Sequence, residues 1–127
     1  HYDGDVNPDI SEKNFPVNPA LFTTVGSKLF HFNRVMTKAQ IESAIRSEGH
    51  EPDPIERLLA YGMENPDEQR KGLIVALGSS WVNPRGSRLV PFLYEYDRGR
   101  GVGLCWGSPE GRWVEIYRFL ASPQVQR

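Results

Sequence analysis

Cysteine is almost missing from this chain, with Cys105 the only one. One thiol excludes an internal disulfide and favours a reducing compartment, so the expected location is cytoplasmic. Long apolar runs are missing too. The longest falls far short of the roughly 20 residues that cross a bilayer, so neither a transmembrane helix nor a membrane partner is expected. The histidines, His1, His31 and His50, form no His-x-His or His-x-x-x-His pair. They make a poor ligand set for a structural zinc, and no metal or organic cofactor is expected to be needed for folding. Position 1 is His rather than Met, which a tag scar or a processed precursor would leave. Neither sign of charge prevails. Fifteen Lys and Arg meet sixteen Asp and Glu, so the whole-chain balance does not advertise an anionic partner.

What is present suits one folded domain. The chain has 127 residues, 39% hydrophobic and 11% aromatic, which excludes a mostly disordered polymer. Its charge is unevenly spread: residues 1–70 sum to −5 and residues 71–127 to +4, the latter mostly from arginine. Such a split means either a basic surface for a partner or two halves of one domain that attract each other.

Four apolar runs occupy the last third: Leu73–Leu77, Arg88–Tyr96, Val102–Trp106 and Arg112–Leu120. Short Gly-, Pro- and Asn-bearing segments separate them, and connections of about five residues suit hairpins rather than parallel crossovers. The expectation is an α+β fold. It comprises an N-terminal arm and hairpin, two to three short helices, and a C-terminal antiparallel meander of three to four strands. Residues 1–14 are acidic and lack an apolar period, so they are expected as a flexible arm, with 15–127 as the single domain. Gly26-Ser27 between Leu21–Val25 and Lys28–Phe32 suits a type II′ hairpin turn, although Asn18-Pro19 is also a helix start.

Thr37-Lys38-Ala39-Gln40 is a capping box, with Met36 and Ile41 placed as a hydrophobic staple and Gly49 as a stop. Asp53-Pro54 and Asn65-Pro66 each read as a cap followed by proline at the first helical position. Pro91 cannot donate to a ladder, so its strand is expected at an edge or at a bulge. One sheet face is expected to hold both main helices, and the other the N-terminal hairpin or a partner.

Few residues point to chemistry. His50-Glu51-Pro52-Asp53 gathers an imidazole and two acids, but it lacks partners at ligand spacing and reads as an exposed turn between helices. His31, between two phenylalanines, reads as a hydrogen-bonded structural histidine. Cys105, between Leu104 and Trp106, reads as a small buried hydrophobe. Gly99, Gly101 and Gly103 are not followed by a helix, so they suit hairpin geometry and close packing rather than phosphate binding. The one constellation with weight is Arg85, Arg88, Tyr94, Tyr96, Arg98, Arg100, Trp106, Arg112 and Trp113. Arg, Tyr and Trp are enriched at protein-interface hot spots, which favours a small non-enzymatic protein-binding module or subunit. Arginine beside exposed aromatics also suits nucleic acid, the alternative reading, though no RNA-recognition consensus is present. A small hydrolase or toxin-type enzyme with dispersed catalytic residues is the third, its catalytic residues unknown. No motif is specific enough to assign an activity or a family.

Overall fold

Residues 89–96 are apolar on both of their alternating sets, apart from Glu95, so a strand built from them needs cover on both faces. The computed structural model describes residues 4–24, 26–96, 99–108 and 110–124. It supplies that cover with one helix on each side of a mixed sheet. In chain order the strands are β1 (Asp5–Val6), β2 (Lys28–Phe30), β3 (Met36–Thr37), β4 (His50–Pro52), β5 (Ile74–Val75), β6 (Trp81–Val82), β7 (Arg88–Tyr96), β8 (Gly99–Trp106), β9 (Arg112–Trp113) and β10 (Arg118–Pro123). The helices are α1 (Lys38–Ser47) and α2 (Ile55–Glu64). The main sheet runs β1-β8-β7-β5-β10-β2, with β4 also on β10 and β6 also on β7, while β3 and β9 form a separate ribbon.

This corrects the antiparallel meander. The first three runs do pair antiparallel in turn, β5 with β7 and β7 with β8, the latter in continuous register from Leu89↔Trp106 to Tyr96↔Gly99. β10 does not follow β8. It lies on the far side of β5 and runs parallel to it, pairing Arg118 with Ile74 and Phe119 with Val75. β1 is also parallel, pairing Val6 with Val102. The short spacing misled because the segment after Trp106 leaves the sheet. Its residues Arg112 and Trp113 pair with Thr37 and Met36, and Trp113 is buried, which carries the chain across before β10 begins.

The N-terminal hairpin is corrected as well. Pro19–Leu21 form a 3-10 turn capped by Asn18, and β2 pairs with β10 instead. A third helix is not formed: Glu68–Arg70 make a single 3-10 turn before β5. The two helices sit on opposite faces. Ile41 and Ile45 of α1 pack with Phe30, Val75, Val90, Trp113 and Phe119. Leu58 of α2 packs with Ile74, Leu93, Val102 and Leu120 on the other side. Neighbours in sequence thus divide between two cores, as period-2 alternation requires.

Pro91 is interior rather than at an edge. Its carbonyl accepts from the Ala76 amide at 3.1 Å, on the β5 side. A residue in an antiparallel strand aims its N–H and C=O the same way, so the missing donor also faces Ala76. There the pairing with β5 ends, before β6 resumes at Leu89. The sheet therefore forgoes one bond and no bulge is needed.

The capping box at α1 is complete. The Gln40 amide donates to the Thr37 hydroxyl at 3.2 Å, and Gln40 Oε1 accepts from the Thr37 amide at 2.9 Å. Asp53, in contrast, does not cap α2. The Ile55 amide donates to the hydroxyl of Ser79 at 2.8 Å, and Asp53 turns inward. Among the described residues no helix is long and apolar enough to cross a membrane.

Candidate functional site

The arginine and aromatic constellation does not survive as one surface. Trp113 is 4% exposed, edge-on to Tyr117 and Phe119 with ring centroids 5.0 and 5.6 Å away. Tyr94 is half-buried, its ring lying over Gly101, where a Cβ would sit 2.3 Å from Cζ. Phe92 covers Gly103 in the same way, at 2.9 Å. These glycines are therefore packing sites for rings, and Gly107 likewise receives Val90. Arg100 is a tether, donating to the Gly62 carbonyl at 3.0 Å and to Gln69 Oε1 at 3.3 Å. Gln69 in turn donates to the carbonyls of Tyr94 and Gly101. Arg98 lies outside the described residues, and so does the side chain of Tyr96.

What remains at the surface is Arg85, Arg88, Arg112 and Trp106. Among the described residues the three arginines hold no ion pair. Arg88 donates to the Ser80 hydroxyl at 2.7 Å, and Arg85 occupies the turn between β6 and β7. Arg112 sits on the β3–β9 ribbon, away from the hairpin.

Trp106 is 72% exposed, the most exposed large apolar side chain among the described residues. Directly opposed residues share a sheet face, so Trp106 lies with Leu89, and Leu89 with Trp81. Leu104 follows two residues back, and Phe15 packs on Trp81 at 6.4 Å. A partly covered apolar row therefore ends in an uncovered indole. Sequence reasoning named Trp106 but missed Leu89 and Leu104. Their alternation with the tryptophan was the available signal.

The backbone here is open as well. The Gly107 amide donates to the Arg88 carbonyl at 2.9 Å, which fixes odd-numbered residues of β8 as those bonded to β7. Val102, Leu104 and Trp106 aim their backbone groups outward. Val102 is met by the Asn7 amide at 2.9 Å, but Leu104 and Trp106 have no strand opposite them among the described residues.

The polar groups elsewhere are structural in geometry. Asp53 is 2% exposed, takes a bond from Ser27 Oγ at 3.2 Å and stands 3.7 Å from Arg57 Nε. Burial lifts its pKa, while bonds from Ser122 and Ser27 and the Arg57 charge pull it down. It pins β4 and β10 beside β2, and its own amide donates to the Leu120 carbonyl. His50 belongs to β4 rather than to an exposed turn; its ring meets the Glu48 carbonyl at 2.8 Å and lies edge-on to Phe30. His31 lies just past β2, exposed, its ring nitrogen 2.7 Å from the Glu115 carbonyl. Among the described residues neither imidazole is held by a carboxylate, the arrangement that orients a general base. Burial pushes the Cys105 thiol up to about 12, which removes the thiolate that nucleophilic attack requires. Arg118 fastens the turn after α2, donating to Glu68 Oε1 at 3.1 Å and to the Gly72 carbonyl at 2.8 Å.

No family model, curated protein or solved structure matches this chain.

Proposed function

We propose that this chain is a non-enzymatic protein-binding module or subunit that engages its partner through the Trp106 end of the sheet. The observation that carries this reading is the uncovered indole on a strand that, at Leu104 and Trp106, has no strand opposite its outer backbone groups among the described residues. A tryptophan brings about 150–250 Å² of contact area, more than any other side chain available there. Extended segments add to open strand edges through main-chain bonds, with side-chain contacts giving selectivity. Arg85 and Arg88, exposed and without ion pairs among the described residues, border the same end of the hairpin. The nucleic-acid alternative loses support, because Trp113 is buried, the Tyr94 ring is packed over Gly101 and Arg100 is tethered.

Recovery of partners on immobilised protein tests the reading, with and without nuclease, at low and moderate salt. Trp106→Ala removes the indole, and Ile116→Ala, at another exposed apolar side chain, is the control. A protein partner should survive nuclease and be retained by Ile116→Ala but lost with Trp106→Ala. Partners lost on nuclease treatment, with affinity falling by orders of magnitude as salt rises, would favour nucleic acid instead. Binding unchanged by Trp106→Ala would refute this surface.

A further inference from the structure

The geometry points to a second binding site, on the other face of the sheet: the groove between α1 and the segment from Arg34 to Met36 takes a small organic carboxylate. Arg34 pairs the carboxylate, and an apolar body lies against Val35, Met36 and Ala44. The groove holds about 500 Å³, inside the roughly 300–1,000 Å³ of small-molecule sites. It follows α1 from Ala39 to Ser47, a stretch of about 12 Å at a rise of about 1.5 Å per residue, which suits an extended ligand. The site is separate from the Trp106 end. α1 packs on Val90, whereas Trp106 lies with Leu89, the neighbour that faces the opposite side of the sheet.

The sequence of α1 explains why space is left there. Its charged residues, Lys38, Glu42 and Arg46, recur at every fourth position and so line one flank. Lys38 and Glu42 pair along it at 3.3 Å, and Arg46 reaches Glu51 at 3.0 Å. Ile41 and Ile45 form the buried flank. Gln40, Ser43, Ala44 and Ser47 follow the i, i+3, i+4, i+7 spacing of a third flank, where mostly short side chains leave the gap to Val35 and Met36 unfilled. The facing wall begins at Asn33, whose φ of +58 is a left-handed turn that asparagine tolerates, and Arg34 and Val35 follow it directly.

The groups around this space call for an acceptor. Arg34 is exposed, and among the described residues its guanidinium holds no ion pair. None of the residues lining the groove is an acid. Gln40 spends its Oε1 on the Thr37 amide, so its NH2 is the end left to donate. Ala39 and Gln40 belong to the first turn of α1, the positive end of its dipole, and no acid stands in that turn. A single guanidinium matches one planar carboxylate through two parallel bonds, whereas a phosphate dianion would keep a charge unmatched. Val35, 48% exposed, offers the apolar contact that an organic body needs and a bare anion lacks.

Hydrocinnamate is the probe, titrated into the full chain and followed by the NMR shifts of the backbone amides. Binding should saturate in the millimolar range, as for a small ligand in an open groove, and should move amides between Arg34 and Ser47 but not the Trp106 indole. The neutral amide of the same acid should bind roughly fivefold more weakly, and so should hydrocinnamate to Arg34→Gln. Ser43→Leu puts a good helix former at an exposed position and fills the groove, so this variant should fold normally and lose the probe. Equal binding of acid and amide, or binding unchanged by Arg34→Gln or by Ser43→Leu, would overturn the inference. So would shifts that never saturate or that centre on Trp106. Inorganic phosphate displacing hydrocinnamate at equal concentration would overturn the carboxylate assignment. Protein recognition at Trp106 stands or falls by its own test, since none of these variants alters that end of the sheet.

Discussion

A carboxylate taken out of water is easier to keep neutral than charged, and Asp53 lies in that situation. Its folded pKa is raised chiefly by burial, so the folded chain holds this proton to higher pH than the unfolded chain does. The stability linked to that proton is complete below the ordinary carboxylate value, about 3.9, and is lost as pH rises through the folded value. Glu68 has the opposite sign. Lys71 foremost, then Arg118, draw its pKa down, so its contribution is present above the ordinary value and lost as pH falls. Urea midpoints measured from acid to neutral pH should separate the two. Asp53→Asn should gain on the natural chain as pH rises, whereas Glu68→Gln should gain on it as pH falls. Parallel curves would show that neither acid is linked as described. At the same scale, Trp113→Ala should cost about 3–5 kcal/mol of stability, and Trp106→Ala within about 0.5 kcal/mol, as for other surface changes. Equal losses would contradict the inward and outward placement of the two indoles.

Elements differ in how far they can be read without a fold. Helix α1 is written in a continuous stretch: a staple residue, a capping Thr, a reciprocating Gln and a terminal Gly, each acting within a few residues. The structure has all of them, with Gly49 at φ +74. Thr37→Ala should therefore lower stability by about 1 kcal/mol, read as a shifted denaturation midpoint at unchanged slope. The start of α2 was legible only in part, because its cap comes from Ser79, in the loop that follows β5. That loop also explains Gly78, whose added Cβ would meet the Asp53 carbonyl carbon at 2.7 Å. Backbone cannot swing aside as a side-chain tip does. Gly78→Ala should cost about 1–3 kcal/mol by overpacking, measured in the same titration. A loss of a few tenths would mean that β4 can shift away from β5 freely. The strands themselves were visible as apolar runs, but a run carries no mark of its neighbour. Hairpin proximity predicted β7 against β8 correctly and misplaced β10, whose position depends on Trp113 and β3. The binding residues divide the same way. Trp106 and Trp113 look alike as letters, and only the crossing of the chain buries one of them.

At the scale of the molecule, the first and last thirds of the chain are bound together. β1 pairs with β8, β2 with β10, and Phe15 reaches Trp81, so the acidic half lies against the basic half within one sheet. Two residues of the expected flexible arm, Asp5 and Val6, thus form an edge strand. Its energetic share is small: Asp5 and Val6 are both exposed, and only one bond follows them, from Asn7. Its effect on association is larger, because a short strand over an edge is one of the ways in which proteins block unwanted pairing. Removing residues 1–7 leaves Ile10 and Phe15 in place while uncovering β8 at Gly101 and Val102, so that its bare edge extends from there to Trp106. The truncated chain should unfold within about 1 kcal/mol of the full one, since exposed contacts contribute little. It should also self-associate more strongly, because a longer bare edge is more open to strand pairing. Light scattering at matched concentrations reads this directly. A truncated chain that scatters no more than the full one would show that β1 guards nothing, and that the opening at Leu104 and Trp106 is not limited by it.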